Sequence, residues 1–383
     1  MIKIGIECES IEGKNPMFGV GRVIVKLLEE VSSQPELAKN YKFILYFKDS
    51  IPDFSFLNAP IFEKKITPVP FIKNRLFPIY YFALLPMRLW FEKLDWMFWP
   101  NYMLPIIATG KSIVMLTEDV YYETYAKKLP FRYRLAYFIF GWWTAKFATK
   151  IMAISETSKK NVAKLYKINP NKIFTAHLGV GSASAEATAR LQHKEGDYLL
   201  YVGQMFPRRH ARETILAFKK FITEHSHILE NVRMSDLKLV MVGHDKYNPP
   251  VIKELVQKTN QELGSERIVH HDYLEKRENL EKLYSGAKAL IYVSDREAFG
   301  LPPMEALAFG VPPVIMDNEL GHELFGEYAF YAKDGSTDEI TNAMKSAMSD
   351  EQKMRSIKDS GPEFVKKYNW KSFAEIFFKN VQS

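Results

Sequence analysis

From residue 198 onward the chain alternates short β-rich apolar runs with amphipathic stretches: YLLYV, ARETILAFKKF, LKLVMV, VIKELVQKTNQEL, RIVHH, ENLEKLYSGA and ALIYV. Repeated βα units of this kind make a parallel sheet covered by helices on both faces. In the second run, Ala211, Ile215, Phe218 and Ile222 line one helical face, with Lys219 and Lys220 opposite. The first half repeats the scheme with less regularity. Strands are expected at Ile2 to Ile6, Phe43 to Phe47, Ser112 to Leu116 and Ile151 to Ile154, and helices from Val20 to about Ser32 and near 131 to 148. Both halves are therefore expected to be α/β, each a doubly wound sheet.

A length of 383 residues suits two domains, taking roughly 150 residues per domain. With 47% hydrophobic and 25% charged residues, the composition supports a buried core and excludes wholesale disorder. GVGSASAEATARLQHKEGD, from Gly179 to Asp197, is small and polar without apolar period and reads as a linker, with the domain boundary between 185 and 195. Two sheets joined in this way are expected to set their strand carboxyl ends about a common crevice, the usual ligand location in open parallel sheets.

Charge and cysteine usage narrow the partners. The single Cys8 forms no internal disulfide and supplies no cysteine-based metal site, which fits a reducing, cytoplasmic compartment. The opening MIKIGIECES reads as a buried strand rather than a secretory leader. The longest uncharged stretches, Leu76 to Met87 and Leu135 to Ala145, fall well short of the roughly 20 residues of a membrane-spanning helix. The 52 basic against 45 acidic residues leave +7, which favours anionic partners such as nucleotides, phosphates or lipid surfaces. The aromatic and basic stretches FIKNRLFPIYYFALLPMRLWFEKLDWMFWP and FRYRLAYFIFGWWTAKFATK admit two readings. One is an interfacial surface on the inner face of a membrane, and the other is core helices with basic edges.

The segment richest in chemistry is SDREAFGLPPMEALAFGVPPVI, Ser294 to Ile315, which lies between two strands. Pro302 and Pro303 suit the first turn of a helix and Gly310 its C-terminal cap. Glu297 then falls in the preceding loop and Glu305 in the first turns. Amides around Phe299, Gly300 and Leu301 would face outward at a positive helix end, a natural place for phosphate. GQMFPRRHARE places Arg208, Arg209 and Arg212 where another helix begins. Cations there oppose the helix dipole unless an anion sits among them. His270, His271 and Asp272 end a strand without a further spaced ligand, and no Asp-x-Asp motif occurs, so no metal is expected.

Glu297-Ala-Phe-Gly-Leu-Pro-Pro-Met-Glu305 resembles the Glu-x7-Glu motif of retaining glycosyltransferases of family 4, which have the GT-B fold. GVGR at Gly19 to Arg22 is similar to the family's glycine-rich loop, AISETSKKNV to its serine-containing turn, YVGQMFPRRH to its phosphate turn, and HELFGEYAFY to its later acidic segment. The resemblance implies two Rossmann-like domains facing a central cleft, 1–185 and 186–365. It also implies a terminal helix, 366–383, crossing back to the first domain. Glu305 would bind the donor ribose, Glu297 the transferred hexose, Arg208, Arg209 and the amides of Phe299 to Leu301 the diphosphate, and Gly19 and Gly21 the donor phosphate or acceptor. Members commonly carry His-Asp where this chain has Glu118-Asp119, so Glu118 is expected to face the sugar, paired with Arg22. Gln204 stands where many members have arginine.

The expected activity is metal-independent hexosyl transfer, with retention, from a nucleotide-diphosphate sugar to a hydroxyl of a saccharide or lipid-linked acceptor. No resident cofactor and no nucleic acid partner are expected. A non-catalytic sugar-nucleotide-binding member of the fold is one alternative. A nicotinamide-dependent oxidoreductase is another, and the absence of a Gly-x-Gly-x-x-Gly turn opposes it.

Overall fold

The computed structural model describes residues 1–13, 19–67, 77–107, 110–125, 130–180, 196–225, 236–274 and 276–382. Most of the expected linker, 181–195, and residues 71–76 of the first aromatic stretch lie outside the described residues. The chain divides into two compact units: Met1–Gly179 with Trp370–Ser383, and Val180–Asn369.

Among the described residues the first unit holds seven strands: β1 Ile2–Glu7, β2 Tyr41–Phe47, β3 Phe62–Ile66, β4 Trp96–Trp99, β5 Lys111–Met115, β6 Lys150–Ala153 and β7 Ile173–Thr175. They pair in the order β3-β2-β1-β4-β5-β6-β7, every pairing parallel. Ile4, Ile6, Phe43 and Leu45 are fully buried, as helices on both faces require. β4 was not expected. WMFW has neither the period of a helix nor the alternation of a half-buried strand, and all four residues are buried between β1 and β5. β3, FEKKI, escaped for the opposite reason: it is an edge strand, and its central residues are only half buried.

The Trp370–Gln382 helix belongs to this first unit. Phe377 meets Phe98 of β4 with ring centroids 5.1 Å apart, and Phe378 meets Tyr41 of β2 at 5.0 Å. Trp370 lies so close to Gly179 that a side chain there would fall 2.4 Å from the indole. The Phe131–Phe147 helix fully buries Gly141, Thr144 and Ala145, and Tyr137, Trp142 and Trp143 pack half-buried against the core of the first unit, so one side of it faces the core and the other is exposed. Among the described residues no helix is long and apolar enough to cross a membrane.

The second unit holds β8 Tyr198–Val202, β9 Lys238–Val242, β10 Ile268–His271, β11 Ala289–Tyr292, β12 Pro313–Met316 and β13 Phe330–Ala332. Their order is β10-β9-β8-β11-β12-β13, again with every pairing parallel. The order reverses at β8, whose neighbours are β9 and β11, so the carboxyl ends of β8 and β11 flank the switch point where such sheets bind ligands. Two glycines shape this edge. Gly203 and Gly243, just past β8 and β9, have φ of +140° and +147°. A side chain on Gly243 would sit 1.9 Å from the Gly203 carbonyl oxygen.

Gly243→Ala should therefore destabilise the second unit by at least about 2 kcal/mol, read as a fall of several degrees in its melting transition. Gly264→Ala, with φ +67° but nothing within 4 Å of the added methyl, should cost only about 1 kcal/mol. Equal melting of the two variants would show that the close approach carries no energetic weight.

Candidate active site

At the end of β8 the chain turns through a short helix, Pro207–Arg209, before the Ala211–Glu224 helix. At the end of β11 it runs through Ser294 and Glu297 into the Leu301–Ala308 helix. The two turns are neighbours because β8 and β11 pair directly. Arg209 and Glu297 meet there in a two-pronged ion pair, Nε to Oε1 at 2.6 Å and Nη2 to Oε2 at 3.1 Å. Both side chains are largely shielded, at 16% and 17% exposure, and the planar fork of arginine suits the geometry.

Glu297 is further held by the Tyr292 hydroxyl at 3.0 Å and the Ser294 hydroxyl at 3.2 Å, both donating to Oε1. Burial, and then the Glu297 charge, push the Tyr292 phenol well above its ordinary pKa, so it stays a donor. Oε1 thus accepts three bonds and Oε2 one, which leaves acceptor capacity on Oε2 for another hydroxyl. Arg209 also donates through Nη1 to the Gln204 carbonyl at 3.2 Å. Of the five N–H groups of a guanidinium, these bonds use three, so donors remain for an anion. Arg208 stacks over Phe206, 4.7 Å from the ring centroid.

The Leu301–Ala308 helix starts at Gly300, whose φ is +89°. Pro302 and Pro303 lack N–H groups, so the donors at this helix end come from Gly300 and Leu301 ahead of them. The helix closes as its glycine suggests: Gly310 and Val311 donate to the carbonyls of Leu307 and Ala306, both at 2.9 Å. Glu305 lies half-buried on this helix and accepts from the Tyr284 hydroxyl at 3.2 Å. A small pocket of about 30 Å³ touches Tyr292, Ser294, Glu297, Phe299, Gly300 and Pro303, room for a hydroxyl-sized group. The second unit therefore gathers Arg208, Arg209, Glu297, Phe299, Gly300, Leu301 and Glu305 about two adjoining turns.

The remaining candidates belong to the first unit. Gly19 and Gly21 open the Gly19–Ser32 helix, Gly19 exposed and Gly21 buried. Glu118 starts the Glu118–Tyr125 helix and is 4% exposed. Its carboxylate accepts from Ser158 Oγ at 2.5 Å and Asn161 Nδ2 at 3.3 Å. These donors, not the expected Arg22, hold it. They come from the AISETSKKNV turn, where Ser155 caps the Glu156–Tyr166 helix by accepting from the Ser158 amide. His270 donates from Nε2 to the Gly243 carbonyl oxygen at 2.8 Å, because a carbonyl only accepts. Among the described residues no cluster of three potential metal ligands occurs.

Tyr292, Ser294, Ser158 and Asn161 were not singled out from sequence. Tyr292 and Ser294 lie beside Glu297 along the chain, a proximity that could have flagged them. The partners of Glu118 could not have been read that way.

Residues 184–364 match the model of the glycosyl transferases group 1 family. The O-antigen chain mannosyltransferase B of Escherichia coli is 26% identical over 233 residues, covering 59% of this chain and 58% of that protein. The O-antigen chain mannosyltransferase RfbU of Salmonella typhimurium is 24% identical over 247 residues, covering 64% and 62%. The chain thus spans about three fifths of the length of these relatives. Over the whole of this chain the fold is similar to that of WaaG, a glycosyltransferase involved in lipopolysaccharide biosynthesis, with a TM-score of 0.68, 17% identity and 99% of WaaG covered. It is likewise similar to Anabaena Alr3699/HepE, solved with UDP and glucose, with a TM-score of 0.71, 14% identity and full coverage of both chains. Two parallel-sheet units and the likeness to these solved structures agree: the chain has the GT-B fold, and its segment 184–364 is similar to the group 1 glycosyl transferases.

Proposed function

We propose that this chain is a retaining glycosyltransferase that moves a hexose from a nucleotide-diphosphate sugar to a hydroxyl of a saccharide or lipid-linked acceptor. The observation that carries the proposal is the Arg209–Glu297 pair beside the Gly300 and Leu301 amides. It sets a hydroxyl acceptor and anion donors within one corner, as transfer from a sugar diphosphate requires. Mannose is the first hexose to test, because the relatives named above are mannosyltransferases.

In this reading Oε2 of Glu297 takes a sugar hydroxyl, while Arg208, the spare donors of Arg209 and the helix-end amides take the diphosphate. Glu305 takes the ribose hydroxyls, and Gly19 and Gly21 the donor phosphate or acceptor. The bond from the anomeric carbon to the diphosphate breaks, and the acceptor oxygen bonds that carbon on the same face. The acceptor proton passes to the departing diphosphate oxygen, whose growing charge Arg209 stabilises. The burial of Glu118 and its bonds to Ser158 and Asn161 favour a part in fixing the 155–161 turn over direct contact with the sugar.

Glu297→Gln should cut turnover roughly 10- to 100-fold, the equivalent of the 1.5–3 kcal/mol of a hydrogen bond to a charged group. Binding of the bare nucleotide diphosphate should stay within a few fold, since Arg209 remains for the phosphate. Glu305→Ala should do the reverse and weaken the bare nucleotide in calorimetry. If both variants show the same pattern, the division of labour between the carboxylates is wrong.

Positive charge supplied by Arg208, Arg209 and the helix end favours catalysis without a divalent ion. Full turnover is expected in excess chelator; loss that magnesium or manganese restores would refute this.

We also propose a membrane-facing surface on the first unit. Phe131, Tyr133, Leu135, Phe138, Ile139 and Phe147 are all exposed on one helix. That helix carries Arg132, Arg134 and Lys146 and no acidic residue. Aromatic and basic side chains together suit an anionic lipid interface. The chain should float with anionic vesicles at low salt, and Arg132→Gln with Lys146→Gln should weaken flotation by about 1 kcal/mol per charge removed. Absence of flotation by the parent at low salt would overturn this part.

A further inference from the structure

The residue after Arg209 is His210, and it sits at φ +46°, a left-handed conformation that suits glycine and strains most other residues. Something must hold it there. Its ring lies between two carboxylates, with Nε2 2.6 Å from Asp295 Oδ1 and Nδ1 3.8 Å from Glu213 Oε2. Asp295 is bound a second time to the same turn, its amide donating to the Arg208 carbonyl at 2.9 Å. Gly335 makes room for the ring: a side chain at that position would come within 2.1–2.4 Å of its atoms. Asp295 is two residues from Glu297, and His210 is next to Arg209. The histidine therefore ties together the two turns that carry the ion pair, at a second point.

We infer that His210 is a positioning residue, a clasp that fixes Arg209 and Glu297 in the geometry that meets the donor; this rests on the glycosyl-transfer reading above. Both ring nitrogens face carboxylates, so the doubly protonated imidazolium donates to Asp295 and attracts Glu213 at longer range. Glu213 and then Asp295 raise the histidine's pKa, against the opposing effect of burial. Asp334 on the neighbouring loop, which interacts with His210, adds to this preference, while Arg212 and Lys333 flank the acidic partners and help lower the pKa of Glu213 and Asp334 respectively. A raised histidine pKa means that the clasp is complete below the ordinary histidine range and is lost as pH rises through the raised value.

His210→Gly is the decisive variant, because it removes the clasp while relieving the backbone strain, so a failure to fold does not confuse the result. With donor turnover as the assay, kcat should fall at least fivefold with donor KM within twofold. The parent's decline in kcat on the alkaline side should be absent in the variant. His210→Asn, which tolerates the conformation and still donates to Asp295, should recover part of kcat without restoring the pH dependence. In NMR of the full chain, the His210 ring should titrate above ordinary histidine, and Asp295→Asn should bring it down. Parent-like kcat and pH profile in His210→Gly, or an ordinary titration in the parent, would overturn the clasp. If the parent turns over no sugar nucleotide, the glycosyl-transfer reading fails, and the NMR titration alone decides whether His210 is clasped.

Discussion

Every strand in both sheets runs parallel to its neighbours, and that constraint organises the rest. Parallel strands cannot be joined by tight hairpins, so each connection crosses back over a face and all carboxyl ends collect on one edge of the sheet. In the second unit this places the turn after β8 beside the turn after β11, although helices and two further strands separate them in sequence. The Arg209–Glu297 pair is a product of that topology. Neither residue has an electrostatic partner of this kind within its own turn.

The energetics of the pair explain why so many other groups attend it. Shielding a guanidinium and a carboxylate from water is costly, and the attraction between them offsets that only when the geometry is good and the remaining polar atoms are satisfied. Tyr292, Ser294 and the Gln204 carbonyl meet that condition. The aromatic faces of Phe206 and Tyr292 lie 5.7 and 5.4 Å from the Arg209 guanidinium and add a favourable surface for the cation. The corner is therefore ordered by the protein's own groups.

The βα alternation of the second unit is legible because its strands are short, apolar and flanked by amphipathic helices. The Glu297 to Glu305 turn was legible because two prolines and a glycine mark where its helix starts and stops. β4 was not, since a buried central strand of aromatic residues has no periodicity to distinguish it from a helix. The partner of Glu118 was misread for a different reason. Position in a motif says which edge of a sheet a residue occupies, but its hydrogen bonds depend on side-chain packing, and here Ser158 and Asn161 reach it. The Arg209–Glu297 contact was hidden likewise: both residues were expected at the site, in separate roles, without any sign that they bind each other.

The helix Trp370–Gln382 has a consequence for the order in which the chain can mature. The second unit is one continuous segment, so its sheet can close as soon as that segment is available. The first unit is interrupted by it, and the aromatic surface of Tyr41, Phe43 and Phe98 is covered by Phe377 and Phe378 from beyond the interruption. During synthesis, the domain begun first is finished last. Until its final helix docks, that surface stays open to water and to other chains, and it is there that a maturing molecule is most exposed to misassembly.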